Sequence, residues 1–267
     1  MLFRSHASRW AFAVMIACAA ITVATALGQA GVYDGRYAWG IAAELAEGFI
    51  GTAALVSAVI PVGFAFGFLV GWGRTTRSWF ARSVATGYVE FFRGMPPLVL
   101  IVFSSLSAAV LLRRYLYVED PFLASLVVGV LALGFHSGGD QAEIIRAGIQ
   151  SVPRGQIEAA YAMGLTPRQT LLSVVMPQAF RVSLPALGNE FSSAIKDTAL
   201  LSAISAFELS QLAGFLARDA LTINVRMVVI PWIEAAILYF ALTFLVVRGV
   251  KAVENRVKVP GLEAPSL

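Results

Sequence analysis

The sequence predicts an all-α membrane protein with about six transmembrane helices. Of its 267 residues, 58% are hydrophobic and only 13% are charged, whereas soluble chains are about 45–50% apolar and about 25% charged. The mean hydropathy is +0.76, and the apolar residues gather into long runs. A run of about 20 apolar residues is what a helix needs to cross a bilayer.

Six apolar runs define the predicted spans. They cover residues 10–27, 49–72, 97–112, 121–135, 182–204 and 228–247. The third and fourth are short for a bilayer, so we expect them to extend into residues 91–95 and 137–141. The fifth is predicted to be the least regular span because polar residues and Pro185 interrupt it.

The basic residues predict the orientation. If the N-terminus is cytoplasmic, fourteen Lys and Arg side chains fall in cytoplasmic segments and six in external ones. Basic residues concentrate in cytoplasmic loops, so both termini are expected in the cytoplasm. The external six are Arg36, Arg113, Arg114, Lys196, Arg218 and Arg226.

The N-terminal run has a second interpretation. Arg4 and Arg9 precede an apolar stretch with small residues at 24–26, which resembles a cleavable secretory signal. The run is long for a signal, and retention as a first helix is preferred. Residues 1–44 are then a short cytoplasmic tail, an extra helix and an external loop.

One cytoplasmic segment, residues 143–178, is longer and more polar than the other connections. It predicts two short helices joined by a tight turn. The first covers residues 156–163, with Ile157, Ala160 and Tyr161 on one face, and Gly164 ends it in the left-handed conformation. Thr166, Pro167 and Gln169 form a capping box for the second.

This structured connection favours a docking role, although a solvated connector or a packing element re-entering the membrane fits the same pattern. A DNA-binding helix–turn–helix fits poorly, because the segment carries a net charge of only about +1 and no basic recognition face.

Particular residues in this segment resemble a known family. Gly155, Gln156, Glu158, Ala159 and Ala160, followed by Gly164 and then Met176-Pro177, are similar to the E-A-A loop of importer-type ABC transporter permeases. The resemblance implies a coupling helix that docks on a separate ATP-hydrolysing subunit. The family usually has Leu-Pro where this chain has Met176-Pro177, a volume-conserving difference.

Three more stretches resemble the polar amino-acid branch of that family: Glu90 to Pro96, Ala142 to Ile149, and Lys196 to Leu200. Together the motifs imply a type I importer permease core of five helices over residues 45–250, with the N-terminal helix outside it and 251–267 as a cytoplasmic tail. Two features depart from the branch, namely Ala199 in place of serine and the region around Asp140.

Polar residues at membrane depth are costly and are therefore candidates for a translocation path. These are Asp140, Asn189, Glu190, Lys196 and Asp197. Glu190 could contact a substrate ammonium, or it could be a structural partner of Lys196 or Arg181. Asp140 could line a cavity, or it could face the cytoplasm as the first loop residue.

The resemblance implies partners: two ATP-binding cassette subunits that bind ATP and Mg²⁺, a second permease subunit, and an external binding protein. The sequence has no phosphate-binding G-x-x-x-x-G-K-[ST] loop, so no cofactor is expected on this chain, and it is not expected to be an enzyme. The leading hypothesis is a prokaryotic inner-membrane permease that imports amino acids. A permease for another small polar solute, an ion-coupled secondary transporter and a membrane enzyme are the alternatives.

Overall fold

The computed structural model describes residues 28, 33–115 and 120–257, and the regular elements in these ranges are helices. The predicted first span, residues 10–27, lies outside the described residues. The helices are α1 Gly35–Gly73, α2 Trp79–Gly94, α3 Pro97–Tyr115, α4 Pro121–Gln150, α5 Arg154–Ala162, α6 Pro167–Thr170, α7 Met176–Asp197, α8 Leu209–Ile223 and α9 Ile230–Val257. A π-helical segment, Leu171–Val175, joins α6 to α7, and 3-10 segments follow α7 (Thr198–Ile204) and precede α9 (Val225–Val229).

Four helical stretches in the described part are long and apolar enough to cross a membrane: Gly35–Gly73, Phe122–Gln150, Pro167–Ile204 and Val225–Val257. A fifth span results if α2 and the first part of α3, which meet at a bend of 102°, are counted together. The all-helical membrane fold is therefore confirmed, and four of the predicted spans fall within these long helices.

The third predicted span differs from expectation at its N-terminal flank. Residues 91–95 do not extend α3; α2 ends at Gly94 and the chain turns sharply before Pro97. Two prolines at 96 and 97 explain the turn, because the residue before a proline avoids the helical region. Met95 is accordingly extended, with φ −98° and ψ 137°. The expected extension of the fourth span is confirmed, since α4 continues to Gln150.

The chain divides into two compact units. Among the described residues, the first comprises 33–49 and 209–238, and the second comprises 50–208 and 239–257. In the first unit, the Tyr33 hydroxyl donates to Glu234 Oε1 (2.7 Å), and the Tyr37 hydroxyl donates to the Leu216 carbonyl (3.1 Å). These bonds tie the start of α1 to α8 and α9.

The second unit contains a core where α1, α3, α4 and α7 meet. Its fully buried residues are Val59, Ile101, Leu133, Ala194, Leu201 and Ala206. Small residues bring α1 and α4 together: a Cβ on Gly63, Gly67 or Gly71 would lie within 2.7 Å of Gln141 or Ala142. Such a glycine every fourth residue lets two helix backbones approach closely within a membrane, and it positions the polar residues of α4 described below.

Candidate functional site

The short helix α5 ends as the sequence predicts. Gly164 has φ +83°, in the left-handed region. The N–H of Gly164 donates to the Tyr161 carbonyl (2.9 Å), and the N–H of Leu165 donates to the Ala160 carbonyl (3.1 Å). This pair of bonds is the Schellman arrangement, which satisfies the last carbonyls of a helix when glycine follows it. The predicted turn is therefore confirmed.

The predicted capping box is also present. Thr166 Oγ1 accepts from the Gln169 N–H (3.4 Å), and Gln169 Oε1 accepts from the Thr166 N–H (2.9 Å). The helix that begins here is not a second short helix, however. It runs on through the π-helical segment into α7, as one helical stretch from Pro167 to Ile204. The prediction of two short helices is wrong for the second, because nothing between Thr170 and Met176 stops a helix.

Helix α5 stands on an apolar base. Val152, Val175 and Ala179 are buried together, and Ile157 and Leu171 pack against them. Ala160 is also buried, so Ile157 and Ala160, which were predicted to share a face, form the inner face of α5. Tyr161 does not join them, since it is 47% exposed. The base fixes α5 against the end of α4 and the start of α7.

The outer face of α5 is exposed among the residues that the structure describes. Gly155, Gln156, Glu158 and Ala159 are exposed, and Met163 at its tip is 76% exposed. Pro177 lies apart from them, exposed in the first turn of α7. The structure thus narrows the predicted loop of residues 143–178 to Ser151 through Thr166, since its flanks belong to α4 and to the long helix containing α7.

A charged cluster lies just before the loop of residues 151–166, which contains α5. Glu143 of α4 is paired with Arg146 on the same helix and with Arg74, which follows the end of α1. Arg146 also donates from Nη1 to Gln150 Oε1 (2.6 Å). The sequence indicated Glu143 and Arg146 through their motif but gave no sign of Arg74, because the pairing depends on how α1 packs.

A second polar site joins α4 to α7. Ser137 Oγ donates to Glu190 Oε1 (2.8 Å), and Gln141 Nε2 donates to Ser137 Oγ (2.9 Å). Glu190 also lies within the electrostatic influence of Asp140, Asp197 and Arg93. Ser137, Asp140 and Gln141 of α4 and Glu190 of α7 therefore form one polar cluster. Asp197 lies two turns after Glu190 on α7. The sequence did not indicate Ser137 and Gln141 as partners.

Arg93, at the α2–α3 break, contacts this cluster. Its Nε donates to Asp140 Oδ1 (2.7 Å). His136, one turn before Asp140, donates from Nδ1 to the Phe92 carbonyl (2.7 Å), since a carbonyl can only accept. Asp140 lies ten residues before the end of α4. The interpretation of Asp140 as the first residue of the cytoplasmic loop is therefore wrong.

Two other predicted path residues lie on the exposed side of α7, although the charge of Lys196 acts on the adjacent Asp197. Asn189 and Lys196 are both exposed on α7. Within the described ranges, neither Lys196 nor Arg181 lies within ion-pair distance of Glu190. The expectation that one of them is a structural partner of Glu190 is therefore wrong, because Ser137 on the neighbouring helix takes that position.

Comparison with known proteins places these features in a family. The family described as binding-protein-dependent transport system inner membrane component matches residues 63–259. The chain belongs to this family. The match begins and ends somewhat later than the core predicted at 45–250. It includes both the loop of residues 151–166, which contains α5, and the polar cluster between α4 and α7.

Similar proteins and a solved structure agree with this assignment. The permease is 39% identical over 177 residues to the L-cystine transport system permease protein TcyB of Bacillus subtilis, covering 66% of this chain and 70% of TcyB. It is 32% identical over 197 residues to the glutamine transport system permease protein GlnP of Escherichia coli, covering 74% of this chain and 85% of GlnP. A crystal structure of an amino acid ABC transporter with histidines aligns with a TM-score of 0.69 and 29% identity, covering 84% of this chain and 99% of the other.

Proposed function

We propose that this permease is the translocating subunit of an ATP-driven importer of amino acids. The observation that carries the proposal is helix α5, which packs on an apolar base while its outer face is exposed in the part of the chain that the structure describes. The named functions of the similar permeases, which include L-cystine and glutamine transport, support amino acids as the substrate class.

Helix α5 serves as the coupling element. Its inner face fixes it to α4 and α7, so a displacement of α5 is transmitted to both spans. Glu158 and Gln156 provide the exposed polar contacts, and Gly164 sets the direction in which the chain leaves the helix. A cytoplasmic ATPase that binds α5 can therefore shift the equilibrium of the spans between two conformational states.

The complete importer contains two ATPase subunits, a second permease chain and an external binding protein. ATP and Mg²⁺ are bound by the ATPase subunits, and the binding protein delivers the amino acid. The charge bias supports cytoplasmic termini, with α5 on the ATPase side of the prokaryotic inner membrane. Asp140, Glu190 and Asp197 contribute to the translocation path, with Asn189 and Lys196 exposed beside it.

The test is co-purification of the intact permease from native membranes in mild detergent. We expect an ATPase subunit to accompany the intact chain and to be lost from the double variant Glu158→Lys, Gly164→Pro. The lysine reverses a charge on the exposed face. Proline cannot adopt φ +83° because its ring holds φ near −65°.

The matched control is Glu47→Lys, Gly249→Ala. Glu47 is exposed on α1, and a Cβ on Gly249 would meet no atom within 4 Å, so this variant should keep its ATPase. Equal recovery of the ATPase with both variants would contradict a coupling role for α5. Failure to recover any ATPase with the intact chain would contradict the importer assignment itself.

A further inference from the structure

The helical stretch that follows the loop of residues 151–166 contains one irregular turn. Between α6 and α7, residues Leu171–Val175 are π-helical. The N–H of Met176 donates to the carbonyl of Leu171, five residues earlier, whereas an α-helix would direct it to Leu172, four residues earlier. This π turn therefore holds one more residue than an α-helical turn. Such turns are rare within α-helices and often lie at functional sites.

Pro177 removes a hydrogen bond that would favour an α-helical turn here. In an α-helix the N–H of residue 177 would bind the Ser173 carbonyl, but proline has no N–H and its ring clashes with that carbonyl. Leu172 and Ser173 are exposed, so a carbonyl without a donor in this turn can bind water. Pro185 lies inside α7 without a π turn, which means that a proline does not by itself impose one. Both the π-helical and the α-helical register are therefore accessible to this turn.

Thr170, the residue before the π turn, carries a buried hydroxyl without a partner. The residue is only 2% exposed, and its Oγ1 has no hydrogen-bond partner among the described residues. Buried hydroxyls are rarely left unpaired in native proteins. This observation does not depend on Pro177, and it favours a second arrangement of the turn in which the hydroxyl is paired.

The π turn lies between the base of α5 and the contact of α7 with α4. Leu171 and Val175, its first and last residues, belong to the apolar base on which α5 packs. Just beyond the turn α7 is close to α4, because a Cβ on Gly148 would lie 2.8 Å from the Ala179 carbonyl oxygen. A displacement of α5 relative to α4 therefore acts on the π turn.

We propose that Leu171–Val175 is a hinge that changes between the π-helical and the α-helical register when an ATPase displaces α5. This inference rests on the proposed function and adds the element through which α5 acts on α7. One residue of an α-helix corresponds to about 1.5 Å of rise and about 100° of rotation, so a change of register turns and shifts α7 relative to α5. The ATPase sets the populations of the two registers through its different affinity for each.

The test measures hydrogen exchange in the intact permease bound to its ATPase subunits in nanodiscs. Exchange of the amides from Leu171 to Met176 is compared without nucleotide and with a non-hydrolysable ATP analogue. We expect the exchange rates to differ by about 3- to 10-fold between the two conditions, the factor that one backbone hydrogen bond contributes. Equal rates in both conditions would overturn the inference.

Two proline variants test whether the register is the cause. Pro177→Ala supplies the missing N–H and favours the α-helical register, so we expect slow exchange in this turn that no longer depends on nucleotide. Pro185→Ala is the matched control: it supplies an N–H in the same helix away from the π turn and should keep the dependence on nucleotide. A dependence that survives in Pro177→Ala would overturn the inference. If Pro177→Ala does not fold, the comparison of the two nucleotide conditions in the unmodified chain still decides the question.

The outcomes separate this inference from the proposed function. If an ATPase accompanies the intact chain but exchange in the π turn does not respond to nucleotide, the hinge is wrong and the importer assignment stands. If no ATPase accompanies the intact chain, the proposed function fails, and the inference fails with it.

Discussion

At the scale of single residues, Gly164 is the position at which backbone conformation matters most to the proposed coupling. Its φ of +83° lies in a region that costs a residue with a side chain about 1–2 kcal/mol. A Cβ on Gly164 would meet no atom within 4 Å. The cost of Gly164→Ala is therefore purely conformational, and it falls on the end of α5.

We predict that Gly164→Ala increases local opening of α5 by about 5- to 30-fold, the factor corresponding to about 1–2 kcal/mol. Hydrogen exchange of the amides in Arg154–Ala162 measures this directly. Gly155→Ala is the matched control, because its Cβ also has open space but the residue is helical. Alanine there should slow exchange or leave it unchanged, and equally fast exchange in both variants would count against the argument.

The residues also show what the sequence could reveal. Gly164 and the Thr166–Gln169 capping box were predictable because each depends on neighbours within a few positions. The partners of Glu143 and Glu190 were not, because Arg74 and Ser137 are 69 and 53 residues away. Helical periodicity puts Tyr161 on one face with Ile157 and Ala160, yet Tyr161 is 47% exposed, since periodicity alone does not define where the apolar base ends.

At the scale of helices, the proposed coupling depends on close contact between α4 and α7. Gly148, near the end of α4, permits this contact: a Cβ there would lie 2.1 Å from Ser183 Oγ and 2.8 Å from the Ala179 carbonyl oxygen. Ser183 could rotate away, but a backbone carbonyl cannot. Any larger residue at 148 must therefore push the two helices apart beside the base of α5.

We predict that Gly148→Ala destabilises the permease by about 1–3 kcal/mol, the usual cost of overpacking. Thermal unfolding in detergent, followed by tryptophan fluorescence, should show a midpoint lower by several degrees. Gly249→Ala, whose Cβ has open space in α9, is the control and should not lower the midpoint. Adding Ser183→Ala to Gly148→Ala should recover only part of the loss, because the Ala179 carbonyl remains; complete recovery would disprove the role given to the backbone.

Helix boundaries show a similar division between local and distant causes. The extension of α4 beyond residue 135 was predictable, because the apolar run 121–135 is too short to cross a bilayer. The bend before α3 is marked in the sequence by Pro96 and Pro97, whereas the length that a span needs predicts a straight extension there. The glycines at 63, 67 and 71 form a packing surface only because α4 lies against them, and their spacing in the sequence does not indicate which helix that is.

At the scale of the whole molecule, the distribution of basic residues predicts which end of each span faces the cytoplasm. The stretch Val225–Val257 is long and apolar enough to cross the membrane. Ile223, the last residue of α8, comes two residues before it, and Asn255 lies near its C-terminal end. Both residues are exposed. If both termini are cytoplasmic, residue 255 lies inside and residue 223 outside.

We predict that an impermeant maleimide labels Ile223→Cys but not Asn255→Cys in intact spheroplasts, and that inverted vesicles give the opposite pattern. The experiment uses a Cys18→Ala background, since Cys18 is the single cysteine of the chain. The physical reason is that fourteen Lys and Arg side chains would otherwise have to be placed on the external side. Labelling of both sites from the same side would mean that this stretch does not cross the membrane, and a reversed pattern would place α5 outside the cell, where no ATPase could reach it.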